Sequence, residues 1–192
     1  MPIRYLPVSW TTYQELTQKL ATKILNNPDH PQEIVAISRG GLTLGHLLSD
    51  LLRIPISTIT IQSYTDIQRQ GEIKITHGLQ ADISRKYILL VDDVSDSGKT
   101  LNRAVEYLHD FNPEKIATAT LFFKPHSIHK PDYFVKETTD WILFPYEPTE
   151  MIGLLTKKFQ AEGRSDPEIG AFLKSLGFTG NQIDFTHKYF PA

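Results

Sequence analysis

The stretch that most restricts the fold is Tyr87-Ile88-Leu89-Leu90-Val91 running straight into Asp92-Asp93-Val94-Ser95-Asp96-Ser97-Gly98-Lys99-Thr100. A strand that is apolar at every position buries both faces, which requires a parallel sheet with helices on either side. The residues after Thr100 recur at helical spacing to Phe111, so the segment reads strand, turn, helix. In an open α/β sheet, ligands bind beyond the C-terminal ends of the strands. Residues 97–100 there offer successive backbone N–H groups, two hydroxyls and a helix N-terminus, a set suited to an anion. Gly98 lets the backbone approach it closely. The carboxylates are the puzzle, because an anion repels Asp92, Asp93 and Asp96. Solvated helix-capping acids are the bland explanation. Three acids within residues 92–96, at the end of a buried strand, instead suggest a sugar diol, a magnesium ion or a developing positive charge.

Gly98-Lys99-Thr100 also invites a Walker A reading. That loop needs a glycine five residues before its Gly-Lys pair. Asp93 stands there. An acid in that turn would face the phosphates, so a nucleoside-triphosphatase loop is rejected.

The same alternation runs through most of the chain. Thr11 or Thr12 can cap a helix carrying Tyr13, Leu16, Leu20 and Ile24, which Asn26-Asn27-Pro28 stops. Glu33 to Ser38 reads as a buried strand, broken by Arg39-Gly40-Gly41, with a helix through Leu44, Leu48 and Leu52 behind it. Ile56 to Ile61 and Ile116 to Phe122 read as further strands, and a short one is expected near Trp141 to Phe144. Strands alternating with helices imply βαβ units and an α/β fold, a three-layer sandwich around a mainly parallel central sheet. Residues 64–78 form a long polar connection, beyond the usual few residues. They are a functional loop, a disordered one, or a β-hairpin, for which Glu72 to Thr76 alternates well enough. From about Glu150 the chain reads as a helical tail, with Ile169, Phe172, Leu173 and Leu176 at helical spacing. The expected division is a core over 1–149 and a C-terminal helical extension over 150–192, packed on the same domain.

Composition removes several functional classes. With 192 residues the chain is of single-domain size and needs no covalent staple. It has no cysteine, so disulfides, thiolate catalysis and iron–sulfur clusters are excluded. A net charge of −2 shows no basic excess for nucleic acid. No apolar run approaches the ~20 residues of a membrane span, and Met1 to Tyr5 lacks a signal-peptide core. Cytoplasm is the expected setting, with neither nucleic acid nor membrane as partner. His126 and His129 suggest a metal pair, but two histidines in a loop without further ligands are ordinarily inert.

Two acids followed by Asp96-Ser97-Gly98-Lys99-Thr100 at the end of an apolar strand resemble the phosphoribosyl pyrophosphate signature of type I phosphoribosyltransferases. Ser97 stands where that family more often has Thr, and Lys99 occupies a variable, often small position. Ile37-Ser38-Arg39-Gly40-Gly41 is similar to the family's pyrophosphate loop. Ser63-Tyr64, leading into the long loop, resembles the start of its flexible lid. Phe122-Phe123-Lys124-Pro125 and Asp140 to Glu147 resemble the purine segments of 6-oxopurine enzymes, closest to bacterial xanthine-guanine phosphoribosyltransferases. The likeness covers roughly Trp10 to Glu147.

The resemblance implies a small hood on the sheet core, a homo-oligomer, and a Mg²⁺-dependent transfer of 5-phosphoribose from phosphoribosyl pyrophosphate to a purine base. Asp92 and Asp93 would hold the ribose diol and the metal, and Asp96 would exchange a proton near N7. Ser97, Gly98, Lys99 and Thr100 would grip the 5′-phosphate, and Arg39 with Gly40 the pyrophosphate. Lys124 would donate to the 6-oxygen, Trp141 would stack on the ring, and the Ile142 backbone would bond the pyrimidine edge. Transfer to another base, or a nucleotide-sensing regulator that does not turn over, stays open at this point.

Overall fold

The computed structural model describes residues 3–63 and 73–191. Strand β1 (Tyr5–Pro7) leads into helix α1 (Trp10–Leu25). The cap is Ser9 rather than Thr11 or Thr12: its Oγ accepts the Thr12 N–H at 3.1 Å. Next come β2 (Glu33–Ser38), α2 (Gly40–Leu52), β3 (Ile56–Ser63), β4 (Ile73–His77), β5 (Tyr87–Val91), β6 (Val94–Ser95), α3 (Lys99–His109) and β7 (Lys115–Phe123). The chain continues through β8 (Tyr133–Glu137), β9 (Trp141–Leu143), α4 (Pro148–Ala161), α5 (Asp166–Ser175) and α6 (Gly180–Tyr189). These elements form two compact units, one of residues 14–139 and one of the described residues of 1–13 and 140–192.

The larger unit is built on a sheet ordered β4-β3-β2-β5-β7, with β6 and β8 both paired to β7. Every pairing is parallel except β3 with β4. The expected α/β fold with a mainly parallel sheet is what forms. One edge of β7 carries β5 along residues 115–119 and then β6 at 122–123, while β8 occupies the other edge. Thus β6 continues the line of β5 after a break at Asp92 and Asp93.

Side-chain alternation sorts the core onto the two faces of this sheet. Val35, Ile37, Ile59, Ile88 and Leu90 pack with Leu101, Ala104 and Leu108 of α3 and with Leu79 and Ile83. Ile34 and Ala36 point the other way, toward α2. A Cβ added to Gly45 of α2 would lie 2.8 Å from the Ala36 Cβ and 2.8 Å from Ile56 Cδ1. Only glycine allows that helix so close to the strands.

β3 and β4 pair antiparallel, with Ser63 opposite Ile73, so residues 73–77 of the expected long connection are a strand; residues 64–72 lie outside the described residues. Three short strands leave no clear mark in the sequence. β1 and β6 are three and two residues long. β8 is at best half-buried and so shows no clean two-residue period.

In the smaller unit β1 pairs in parallel with β9, Leu6 opposite Ile142. Its helices gather Ile152, Leu155, Phe159, Ile169, Leu173 and Ile183 into a core of their own, with Tyr5 and Phe172 against it. Phe159 and Phe172 meet edge to face at 4.9 Å, and the Arg164 guanidinium covers Phe159 at 4.2 Å. Capping boxes Ser165/Glu168 and Thr179/Gln182 start α5 and α6.

Candidate active site

β5 ends at Val91, and β7 holds the two acids beyond it. The Asp92 N–H donates to Ala119 O at 3.2 Å, and Asp93 O accepts the N–H groups of Leu121 and Phe122 at 3.1 and 3.2 Å. This clamp fixes the backbone of both acids at the end of the sheet. The Asp93 N–H turns back onto Asp92 Oδ1 at 3.0 Å. Burial, and next the adjacent Asp93 charge, hold the Asp92 carboxyl well above the ordinary carboxylate range.

Beyond β6 the chain turns outward at Asp96 and Ser97 and re-enters at Gly98, which opens α3. Gly98 has φ +78°, and a Cβ there would lie 2.5 Å from His129 N and 2.9 Å from the His129 Cβ. Conformation and space both demand glycine. A polar bed lies beneath. Ser95 Oγ is 2.8 Å from Ser127 Oγ and donates to His129 O at 2.7 Å. The His129 ring spans Asn102 Oδ1 at 2.5 Å and Thr118 Oγ1 at 3.1 Å, and that hydroxyl donates to Asp132 at 2.8 Å. Burial lowers the His129 pKa from its ordinary value, against a smaller opposing pull from Asp132. His129 therefore supports the loop through both ring nitrogens.

A second strand-end turn faces the first. β2 runs beside β5, Ala36 opposite Val91, so the turn at Ser38-Arg39-Gly40-Gly41 emerges next to the two acids. The Ser38–Arg39 peptide is cis, and α2 begins at Gly40. A Cβ on Gly40 would lie 2.5 Å from Asp93 Oδ2 and 2.9 Å from Asp92 Oδ1. One on Gly41 would collide with the Val91 carbonyl oxygen. Arg39 itself is exposed.

The other expected residues divide between the two units. Lys124 directly follows β7, is only 6% exposed, and donates its backbone N–H to Ser95 O at 3.0 Å. Asp92, Asp93, Asp96, the 97–100 turn, Arg39, Gly40 and Lys124 thus share the C-terminal end of one sheet. Trp141, 48% exposed, and buried Ile142 open β9 in the smaller unit, where the Trp141 N–H donates to Arg4 O at 2.8 Å. Ser63 ends β3; Tyr64 lies outside the described residues.

One histidine that reads as inert in the sequence belongs here. His126 Nε2 stands 2.9 Å from Asp96 Oδ1. Nothing in the local sequence signals that contact, since 30 residues separate the partners.

The donors present fit a hard divalent cation. Among the described residues no group of three or more His, Cys, Asp or Glu could hold a metal. Mg²⁺ ordinarily takes one or two carboxylates and completes its shell with water and substrate phosphate oxygens, and two crowded carboxylates are present at Asp92 and Asp93. Asp92, partly buried beside a like charge, gains most from a cation.

Comparison with known proteins agrees with this geometry. Residues 9–150 match the phosphoribosyl transferase domain. The chain is 34% identical over 147 residues to the xanthine-guanine phosphoribosyltransferase of Desulfotalea psychrophila, covering 75% of this chain and 87% of that protein. The crystal structure of a purine phosphoribosyltransferase from Pyrococcus horikoshii superimposes with a TM-score of 0.69 at 33% identity, covering 76% of this chain and 95% of that one. The xanthine-guanine-hypoxanthine phosphoribosyltransferase of Helicobacter pylori gives 0.65 at 29% identity, covering 74% and 94%. The resemblance read from the sequence is borne out: the chain is a phosphoribosyltransferase and belongs to the phosphoribosyl transferase domain family.

Proposed function

We propose that the chain transfers 5-phosphoribose from phosphoribosyl pyrophosphate to N9 of a 6-oxopurine (guanine, xanthine or hypoxanthine), with Mg²⁺, as a purine-salvage step. The observation that carries the base assignment is Lys124, a buried lysine tied through its backbone to the turn between Asp93 and Asp96. A lysine has donors only. It therefore suits a 6-oxo acceptor and disfavours the 6-amino group of adenine. The named relatives, which act on xanthine, guanine or hypoxanthine, support the same choice.

In this reading residues 97–100 grip the 5′-phosphate through N–H groups and hydroxyls. Asp92 and Asp93 take the ribose hydroxyls and the metal, and Arg39 with the Gly40 turn takes the pyrophosphate. Trp141 offers a stacking face and the Ile142 backbone bonds the pyrimidine edge. The bond from C1′ to the pyrophosphate oxygen breaks, its electron pair leaving with the pyrophosphate. The C1′–N9 bond forms, and Asp96 takes the proton the base gives up, near N7. The sugar passes through oxocarbenium character, which nearby carboxylates stabilise. Mg²⁺, when bound, neutralises the departing pyrophosphate. The segment from Ser63 and Tyr64 acts as a lid against hydrolysis of the activated sugar.

The same reading sets the enzyme in the cytoplasm as a homo-oligomer, without nucleic acid or membrane partners. Among the described residues no helix is long and apolar enough to cross a membrane. The test is pyrophosphate release from phosphoribosyl pyrophosphate and Mg²⁺ with guanine, xanthine, hypoxanthine, adenine, uracil and orotate supplied separately. Release with at least one 6-oxopurine and none with adenine is expected. Release only with uracil or orotate would change the base. Tight binding of phosphoribosyl pyrophosphate without release for any base would turn the reading to a sensor.

A further inference from the structure

The proton acceptor of the proposed reaction sits in the most exposed part of its turn. The Asp96 side chain is 62% exposed, and a free aspartate there would rotate among its staggered positions. His126, itself 63% exposed, has Nε2 2.9 Å from Asp96 Oδ1. Exposure would ordinarily mark such a pair as a chance surface contact. The backbone argues otherwise. Lys124 N–H donates to Ser95 O at 3.0 Å, and Ile128 N–H donates to Ser97 O at 3.1 Å. Two main-chain bonds therefore straddle the pair, joining the residues on either side of Asp96 to those around His126. Ser127 N–H closes onto Lys124 O at 2.9 Å, and Ser127 Oγ meets Ser95 Oγ at 2.8 Å. Both side chains leave backbones that are already pinned together.

We infer that His126 is a positioning residue for Asp96, its Nε2–H holding Oδ1 so that Oδ2 is presented to the purine. This rests on the proposed transfer reaction. An ionised carboxylate is an acceptor only, so the imidazole nitrogen is the donor. The contact occupies one oxygen and leaves the lone pairs of the other for the base. Its value lies in geometry, because a proton acceptor displaced by an ångström can cost up to about a hundredfold in rate. Since the pair is exposed, it contributes little to stability, and the substitutions that remove it leave a folded enzyme.

The test is a double-mutant cycle with the 6-oxopurine that the wild type uses best. His126→Ala is expected to lower kcat about tenfold with KM for phosphoribosyl pyrophosphate changed less than about twofold. His126→Gln, whose amide nitrogen reaches the Nε2 position, should recover kcat to within about threefold of wild type. In an Asp96→Asn background, assayed at raised enzyme concentration, His126→Ala should change kcat by less than about twofold, because the group it positions is gone. Melting temperatures should agree within about 2 °C throughout. Equal losses in both backgrounds, a Gln variant no better than Ala, or a change confined to KM would overturn the role. A wild type that releases no pyrophosphate with any base fails the transfer reading and this role with it. An active wild type with additive variants fails this role alone.

Discussion

The two strand-end turns do the same topological job with opposite chemistry. Each comes after a buried parallel strand and leads to a helix, β2 into α2 and β5, by way of β6, into α3. Residues 92–100 after β5 carry three carboxylates and three hydroxyls; the β2 turn carries Arg39 and two glycines. The difference arises from space. β7 braces the acidic turn from one side, so its side chains have somewhere to stand. The β2 turn comes so close to those carboxylates that a side chain on Gly40 would overlap them. In the proposed reaction the acidic turn contributes side-chain groups, and the other contributes Arg39 together with a closely approaching main chain. The proposed transfer, which holds a sugar through its hydroxyls on one side and frees it of an anion on the other, uses both.

That contrast can be broken at several points. The largest effect is expected for Asp96→Asn, which should lower kcat by about 10²–10⁴-fold while KM for phosphoribosyl pyrophosphate stays within about twofold. Steady-state kinetics separate the two, and equal losses would remove Asp96 as a proton acceptor. Gly40→Ala comes next. It adds no charge, yet its Cβ falls 2.5 Å from Asp93 Oδ2, so kcat/KM should drop about a hundredfold. Wild-type activity in that variant would show that the two turns work independently. Gly98→Ala forces a side chain onto φ +78° and into His129, at a cost of about 1–3 kcal/mol. Calorimetry should show a lower melting temperature, and KM for phosphoribosyl pyrophosphate should rise about tenfold with kcat less affected.

The smallest effect concerns the raised Asp92 carboxyl. Its folded pKa lies above its unfolded one, so the folded state holds the extra proton between the two values. Stability of the metal-free protein therefore falls as pH rises from the unfolded value of 3.8 through the raised folded one. Asp92→Asn should flatten that dependence and raise the melting temperature near neutral pH by about 2–4 °C, a gain of about 1 kcal/mol. It should do so while impairing turnover. A melting temperature that falls instead would mean that the Asp92 carboxylate stabilises the fold.

Much of this was legible residue by residue. The buried runs Glu33–Ser38 and Tyr87–Val91 are the observed strands, because a run that is apolar at consecutive interior positions is stable only between two covered faces. The helical tail was visible in its spacing, and its two capping boxes carry a sequence signature as well. What escaped was short or held from outside. β6 exists because β7 supplies its partners, and β8 because the far edge of β7 was free to take it. His126 looked like an inert loop histidine, since its partner lies 30 residues away.

The sequence by itself determined the strand-turn-helix units and the chemistry each turn carries, because those depend on burial period and on residues a few positions apart. Only the tertiary structure decided which turns face each other. The parallel pairing of β2 with β5 sets Gly40 against Asp92 and Asp93, and that of β7 with β6 brings Lys124 and His126 to the turn holding Asp96. The physical reason is that the order of strands in the sheet joins residues far apart in the chain, and a pattern read a few positions at a time does not say which strands become neighbours.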